Sequence, residues 1–513
     1  MPGGGGCLPS AYRRPLAGRL SARQPARSEC GSRASRKALG VTAEQTQAIR
    51  FPVDADRMHR FDPEMTAMIL AYVEERLAIV ETPVDGLGDR AVLEQAVAGL
   101  IGDDPRDDRE VLDIYVEHMA DTILSADSPR FFAFIPAAPT KASLLFDMVV
   151  SAASLQGCSW LEAAGAVIAE NQALRVMADI AGMPASSGGV FVSGGSAGNL
   201  SALVVARDMA RRKRIEQGLP EIRLRVVVSD QAHSSIRSAL NITGMDALIV
   251  PTLDGRLEGQ FLREALDEDP DLRDIAAIVA TCGTTNAGII DDLVAAADVA
   301  REHDWWFHVD GAYGGAGMLS AGIRDRYLGV ERADSLVMDP HKWWFAPFDS
   351  AALLYREPHL AKSVHTQDAA YLDVIHEDDD DFNPSDLAYH LTRRARGMAL
   401  WFSMAVNGLN AYRDAVDHAL LMATYAADRI DEHPDLHLIR RPDLSVILFR
   451  RVGWLHADYE QWGQRLLRDQ TAFVTHSAWR GETVARLVFL HPGTTTAMVD
   501  EVLATLSSGN YRA

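Results

Sequence analysis

Trp305-Trp306-Phe307-His308-Val309-Asp310-Gly311-Ala312-Tyr313 and Ser335-Leu336-Val337-Met338-Asp339-Pro340-His341-Lys342-Trp343 are the two stretches whose reading decides the fold. In each, an apolar, strand-like run delivers one polar group to its end: Asp310 in the first, and Lys342, thirty-two residues later, in the second. Runs that are apolar on both faces suit strands buried in a mostly parallel sheet.

The same pattern repeats from Gly188 onward. Val190–Ser193, Leu224–Ser229, Leu248–Thr252, Ile275–Thr281, Trp305–Val309, Ser335–Met338 and Ala351–Tyr355 are short β-rich runs. Amphipathic stretches such as Leu200–Lys213 and Leu293–His303 separate them, which predicts an α/β layered domain. Ligands in such sheets sit beyond the carboxyl ends of strands. Upstream, Met65, Met68, Ile69, Tyr72, Val73 and Leu77 recur at three- and four-residue intervals and predict helix between Asp62 and Leu124. A polar loop, Gly102 to Asp108, interrupts it before a helix expected over Val111–Leu124. Downstream, His376 to Asp381 is a charge run that reads as a solvated loop. A long helix is expected over Ala395–His433, and Ser445–Phe449 and Ala485–Leu490 look like strands of a C-terminal α+β segment.

At 513 residues the chain is too long for one simple core. Its 48% hydrophobic and 24% charged content is ordinary for a soluble globular enzyme, and no apolar run reaches the length needed to cross a bilayer. A net charge of -21 argues against nucleic acid or an anionic membrane as partner, so any bound anion must be gripped locally. Residues 1–40 depart from this balance, with eight basic side chains against one acid, Glu29, and no apolar periodicity; they read as disordered. Such a start can be a transit peptide, a dispensable tail, or the product of a start codon set too far upstream, with Met58 or Met65 opening the folded part. Cys7 and Cys30 lie in this tail and Cys158 and Cys282 in the body, without ligand-like spacing. Reduced thiols in the cytoplasm are expected, and no metal.

A lone lysine is usually a surface residue. Lys342 instead precedes Trp343-Trp344-Phe345, so apolar surroundings are expected, and these favour the free amine that a Schiff base needs. Asp310 reads most simply as a strand-end acid or a helix cap. The small residues Gly311, Ala312, Gly314 and Gly315 would also give a flat floor on which a ring can approach the backbone. A carboxylate about 4 Å from a pyridinium gains roughly 4 kcal/mol at an effective dielectric near 20, enough to keep the ring nitrogen protonated. An amine for an aldehyde and a carboxylate for a pyridine nitrogen suit pyridoxal 5'-phosphate (PLP).

Ser193-Gly194-Gly195-Ser196-Ala197-Gly198-Asn199 joins a strand to a helix. Such turns serve packing, or present N–H groups and a positive dipole end to a phosphate. Beside the Lys342–Asp310 pair it reads as a phosphate cup, with Gly195 and Ser196 nearest. His233 is either a satisfied core or cap histidine, or a flat imidazole stacked on the cofactor ring and reaching the substrate carboxylate. No second His or Cys lies at ligand spacing for a metal. Gly283-Thr284-Thr285-Asn286 is either an ordinary turn or a hydroxyl beside the cofactor, and Tyr371 reads as a packing anchor in a loop.

Taken together, these motifs resemble the pyridoxal-phosphate-dependent group II decarboxylases, the aromatic-L-amino-acid and glutamate decarboxylase group, over about residues 60–510. His308-Val309-Asp310-x-Ala312-Tyr313 with Pro340-His341-Lys342-Trp343 carries the resemblance. It implies PLP fold type I: a large domain with a mostly parallel, seven-stranded sheet, a smaller C-terminal α+β domain, and an N-terminal helical arm that packs across an obligate homodimer with shared active sites. The corresponding bounds are 1–45 for the disordered tail, 46–130 for the arm, 131–405 for the PLP-binding domain and 406–513 for the small domain. The resemblance further implies that Lys342 is the Schiff-base lysine, Asp310 the pyridinium partner and His233 the stacking imidazole. Ala312 would lie beneath the ring, Thr285 would place its hydroxyl near the cofactor, Gly195 and Ser196 would form the phosphate cup, and His341 precedes the lysine as in the family. Tyr371 matches a mobile-loop tyrosine that reaches the partner subunit's site and returns a proton to the substrate carbon. Ser128 to Pro136 resembles the substrate-pocket stretch, with Phe134, Ile135 and Pro136 as an apolar wall suited to aromatic or other apolar side chains.

The implied reaction converts a small-molecule L-amino acid to its amine and CO2. An aminotransferase or lyase on the same fold would give a keto acid, a decarboxylation-dependent aldehyde synthase would release hydrogen peroxide, and a silent dimeric scaffold would hold no PLP. Two positions depart from the family pattern. Asp339 stands where members often carry Asn, and because an acid repels a phosphate its side chain is expected to point elsewhere. Gly311 replaces a common Ala, a tolerable change.

Overall fold

A computed structural model describes residues 54–135, 138–370, 372, 375 and 382–507. The chain divides into two compact units, Met1–Asp62 and Pro63–Ala513. The described part of the first holds one 3-10 turn, Arg57–His59, with Arg60 paired to Asp54 and Asp56. The expected tail 1–45 and the charge run 376–381 lie outside the described residues. All that follows concerns the second unit.

The seven expected runs form one sheet. Its strands are β1 (Gly188–Val192), β2 (Arg225–Ser229), β3 (Asp246–Val250), β4 (Ile275–Thr281), β5 (Trp306–Asp310), β6 (Ser335–Met338) and β7 (Ala351–Tyr355). They lie in the order β1-β7-β6-β5-β4-β2-β3. Only β7 runs against its neighbours, so the carboxyl ends of the other six share one edge. Every residue of β4, β5, β6 and β7 is buried, which is why their sequences run apolar without alternation. Val226 and Val228 pack beneath the helix Gly195–Glu216, while Val227 and Ile278 face the opposite layer, which includes Leu293–His303.

The C-terminal part is a second, wholly antiparallel sheet of β8 (Leu436–Leu438), β9 (Val446–Arg451), β10 (Thr475–Trp479) and β11 (Glu482–Val488), in the order β10-β11-β9-β8. β9 and β11 were legible as apolar runs. β8 has three residues, and β10 is an edge strand whose Thr-His-Ser start conceals it. Arg480 and Gly481 join β10 to β11 with φ of 50° and 80°, the sign that a type I′ hairpin turn requires.

Upstream helices span Pro63–Ala78, Arg90–Ala96 and Asp108–His118, the last stopping short of the expected Leu124. Leu124 instead forms an isolated bridge with Asp85. The long helix is Met398–Glu432, broken at Gly408, whose φ of 72° is not helical. Among the described residues no helix is long and apolar enough to cross a membrane.

Candidate active site

The shared carboxyl edge of the large sheet holds a cavity of about 180 Å³. Gly195, Ser196, His233, Thr285, Asp310, Ala312, His341 and Lys342 all line it, as do Asn199, Ser235 and Asp339. They arrive from five different strand ends. Gly195 and Ser196 open the helix after β1, and His233 caps the helix Ser234–Thr243 after β2. Thr285 lies in the turn after β4, Asp310 closes β5, and Asp339 follows β6. A larger cavity of about 620 Å³ lies near the start of β5, but its charged lining includes the ion pair Lys213–Asp304 and it gathers none of these groups.

Aromatic anchors fix the loop that carries Lys342. Trp343 and Trp344 are fully buried, and Trp343 stacks on Tyr313 at 5.4 Å between ring centres. These side chains turn into the core, so they do not surround the amine as the sequence led us to expect. Lys342 Nζ instead meets Asp339 Oδ2 at 2.9 Å. The expectation that Asp339 points elsewhere is also corrected. Its carboxylate is 2% exposed, lies 3.5 Å from His341 Nε2, and has one oxygen, Oδ1, without a hydrogen-bond partner. Both oxygens face the start of the helix after β1: a Cβ placed on Gly195 would sit 3.0 and 3.1 Å from them. A carboxylate is drawn there by the ammonium and by the positive end of the helix dipole.

Behind Asp310 runs a directional chain of hydrogen bonds that the sequence reading missed. A carboxylate only accepts, so the Asn199 amide must present Nδ2 to Asp310 Oδ2 (2.9 Å) and to Ser235 Oγ (3.0 Å). Asn199 Oδ1 then faces His308 Nε2 at 2.8 Å, which must carry a proton and donate it. Burial pushes His308 down to about 4, so the ring is neutral at pH 7 and its Nδ1 accepts from the Ser335 hydroxyl at 2.8 Å. The opposite end agrees: the Trp306 indole can only donate, and it donates to Ser335 Oγ at 2.8 Å, leaving the Ser335 proton for His308.

The Ala312 N–H completes the grip on Asp310 at 3.1 Å to Oδ1. Both Asp310 oxygens keep lone pairs for one more donor. His233 Nδ1 accepts from the Ser235 backbone N–H at 3.2 Å, so neutral His233 carries its proton on Nε2. A sequence signal for these residues existed. His308 is two residues before Asp310 and therefore shares its strand face, and Asn199 is one helical turn beyond Ser196.

The remaining expected residues lie differently. Ile135 is buried in the main core and Phe134 is 55% exposed; neither lines the cavity. Phe134 packs on Phe131 and Phe473, and the Arg486 guanidinium donates both to its carbonyl (3.2 Å) and to that of Thr285 (2.7 Å), which joins this segment to the cavity wall. Pro136 and Tyr371 lie outside the described residues. Gly311 leaves no room for an alanine, because a Cβ there would meet Cys282 Sγ at 2.8 Å.

These groups fit the parts of PLP: an amine for the aldehyde, a carboxylate with spare lone pairs for the ring N–H, and a helix start cradled by Gly195 and Ala312 for the phosphate. Residues 101–452 match the conserved domain of pyridoxal-dependent decarboxylases. The chain is 27% identical over 469 residues to aromatic-L-amino-acid decarboxylase of Bacillus atrophaeus, covering 89% of this chain and 96% of that protein. It is 31% identical over 378 residues to L-2,4-diaminobutyrate decarboxylase of Rhizobium meliloti (strain 1021), covering 70% and 74%. The crystal structure of Oryza sativa TDC with PLP and tryptamine superposes with a TM-score of 0.80 at 25% identity, over 89% of this chain and 98% of that one. The chain therefore belongs to the pyridoxal-dependent decarboxylase family, as a carboxy-lyase that uses PLP to release CO2 from an amino acid.

Proposed function

We propose that the chain acts on an aromatic L-amino acid, at the cavity lined by Lys342 and Asp310, as a cytoplasmic homodimer. The observation that carries this reading is the convergence of an amine, a buried carboxylate and a helix start on one cavity from separate strand ends. Bound PLP supplies a sink for the electron pair left when the bond to the carboxylate carbon breaks. Lys342 anchors the cofactor, and Asp310, held by Asn199 and Ala312, keeps the ring nitrogen protonated. Gly195 and Ser196 receive the phosphate beside His341, and Ala312 and Thr285 bound the ring. His233 offers its Nε2–H to the substrate carboxylate, and Tyr371 returns a proton to the substrate carbon.

The aromatic preference is supported by Phe134. A half-exposed ring, tied through Arg486 to the turn that carries Thr285, suits a flat apolar side chain. Relatives that act on tryptophan and tyrosine agree with it. A homodimer is supported by the helices Pro63–Ala78 and Asp108–His118, which bury no residue yet expose Ile69, Leu70, Tyr115 and Val116. We assign 46–130 to the arm, 131–405 to the large domain and 406–513 to the small one; the break at Gly408 lies close to the second boundary. A cytoplasmic location agrees with the unpaired, buried Cys158 and Cys282.

The test is product analysis of the PLP-loaded enzyme with tryptophan, tyrosine, phenylalanine, 2,4-diaminobutyrate and glutamate. Equimolar CO2 and amine from an aromatic substrate, abolished by Lys342→Ala, is the expected result. A keto acid, hydrogen peroxide, or preference for diaminobutyrate or glutamate would overturn the reading.

A further inference from the structure

We propose that His456, Glu460 and His476 bind one divalent transition-metal ion of the zinc class, at a site in the small sheet that is separate from the PLP cavity. Each residue offers one ligand atom, and the three atoms lie within 4.8 Å of one another. His456 and Glu460 are one turn apart on the helix His456–Arg468, with Nε2 and Oε1 3.5 Å apart. Tetrahedral zinc bonded at about 2.1 Å sets its ligands about 3.4 Å apart, so this pair already has the required separation. His476 comes from the edge strand β10, twenty residues on, which is why no sequence spacing announces the site.

Two further features point to a ligand rather than to chance neighbours. The imidazoles of His456 and His476 are 4.6 Å apart and nearly perpendicular, at 85°. A nitrogen lone pair lies in its ring plane, so perpendicular rings can aim at one common point where a stacked pair cannot. His456 Nδ1 also lies 3.3 Å from Thr483 Oγ1, an acceptor for its proton that leaves the Nε2 lone pair free. An exposed His–Glu pair alone adds little to stability and gives no reason for the third residue. Two imidazoles with one carboxylate suit zinc, cobalt, nickel or copper and disfavour calcium and magnesium, which take oxygen ligands.

Such an ion pins β10 to the helix beside it. The Ser477 hydroxyl, next to His476, donates to Asn286 Oδ1 at 2.6 Å, and Asn286 adjoins Thr285 of the cofactor cavity. The brace therefore reaches the rim of the active site without touching its chemistry.

The PLP-loaded enzyme, stripped with chelator and desalted, is titrated with Zn2+ and separately with Co2+. Wild type should take up one equivalent more than His476→Ala, gain a higher unfolding midpoint with Zn2+, and show visible cobalt bands of four-coordinate type. Glu460→Gln should bind at least about tenfold more weakly. It also serves as the second variant if His476→Ala fails to retain the cofactor's absorbance. Equal uptake by wild type and variants would assign the metal to thiols or to PLP and overturn the site, as would a midpoint that zinc does not move.

Discussion

Asn199 Nδ2 lies 2.9 Å from Asp310 Oδ2, so the carboxylate at the end of β5 is held by an amide one turn into the helix after β1. The helix start and the carboxylate, which we propose would hold the phosphate and the ring nitrogen, are thus tied together directly. His308 and Ser335 lock the amide from behind, and every donated proton along that line has its own acceptor. A site that must keep a proton on a ring nitrogen needs a carboxylate that does not rotate, and two donated hydrogen bonds fix it in place.

Asn199→Leu keeps the branched shape and heavy-atom count of the side chain, though not its volume, and removes both the donor to Asp310 and the acceptor for His308. A hydrogen bond to a charged group is worth about 1.5–3 kcal/mol, so PLP affinity should fall roughly 10- to 100-fold. Activity at saturating PLP should fall as well. Equilibrium dialysis against PLP, with a parallel pH–rate profile, makes the measurement. Unchanged affinity would show that Ala312 alone positions Asp310.

His308 gives a stability signature with a definite sign. Burial holds its folded pKa near 4, against an ordinary value of 6.5, with Asp310 opposing the change. The stability it contributes is therefore complete above about pH 6.5 and is lost as pH falls toward 4. Other histidines that burial lowers in the same direction, such as the half-buried His390, share that trend, so the diagnostic quantity is a difference. His308→Gln can still donate to Asn199 but cannot titrate. Its unfolding midpoint should fall less than that of wild type between pH 7.5 and pH 5, as read by calorimetry at matched PLP loading. Parallel losses in the two proteins would refute the assignment.

The large sheet was readable because its signal is simple. Fully buried strands such as β4 to β7 leave apolar runs, and all seven strands, the largely exposed edge strand β3 included, were placed within two residues at each end. The second sheet was half readable: β10 is an edge strand with polar side chains, and β8 is too short to show a period. The cavity-lining residues were legible as motif positions. Their orientation was not, because the direction of the Asp339 and Lys342 side chains depends on which neighbouring strand ends meet. The Trp343-Trp344-Phe345 run suggested an apolar shell around the amine, but successive side chains leave the backbone in different directions and these anchor the core.

Phe134 is the specificity prediction. Phe134→Ala removes a half-exposed ring that shares its backbone anchor, Arg486, with Thr285. If that ring forms the substrate wall, KM for an aromatic amino acid should rise about tenfold or more while PLP affinity stays constant. A ring that only covers Phe131 and Phe473 would instead lower the unfolding midpoint and leave KM alone. Steady-state kinetics with two aromatic substrates of different size distinguish the outcomes.

Asp339→Asn should tighten PLP binding. In wild type the carboxylate lies 2.9 Å from Lys342 Nζ, so anchoring the cofactor on that amine must first break an ion pair. The same carboxylate faces the start of the helix after β1, where a phosphate would stand against a second negative charge. An amide removes both costs and offers N–H donors in place of the unpartnered Oδ1. Two charges about 4 Å apart repel by roughly 1 kcal/mol in water and by about 4 kcal/mol in a partly desolvated site, so a gain of at least about fivefold in affinity is expected. Titrating the enzyme with PLP, followed through the cofactor's visible absorbance, measures it, and raising the ionic strength should narrow the gap between the two proteins. Weaker binding in the variant would mean that Asp339 holds Lys342 in the orientation the cofactor needs, with the ion pair serving attachment rather than opposing it.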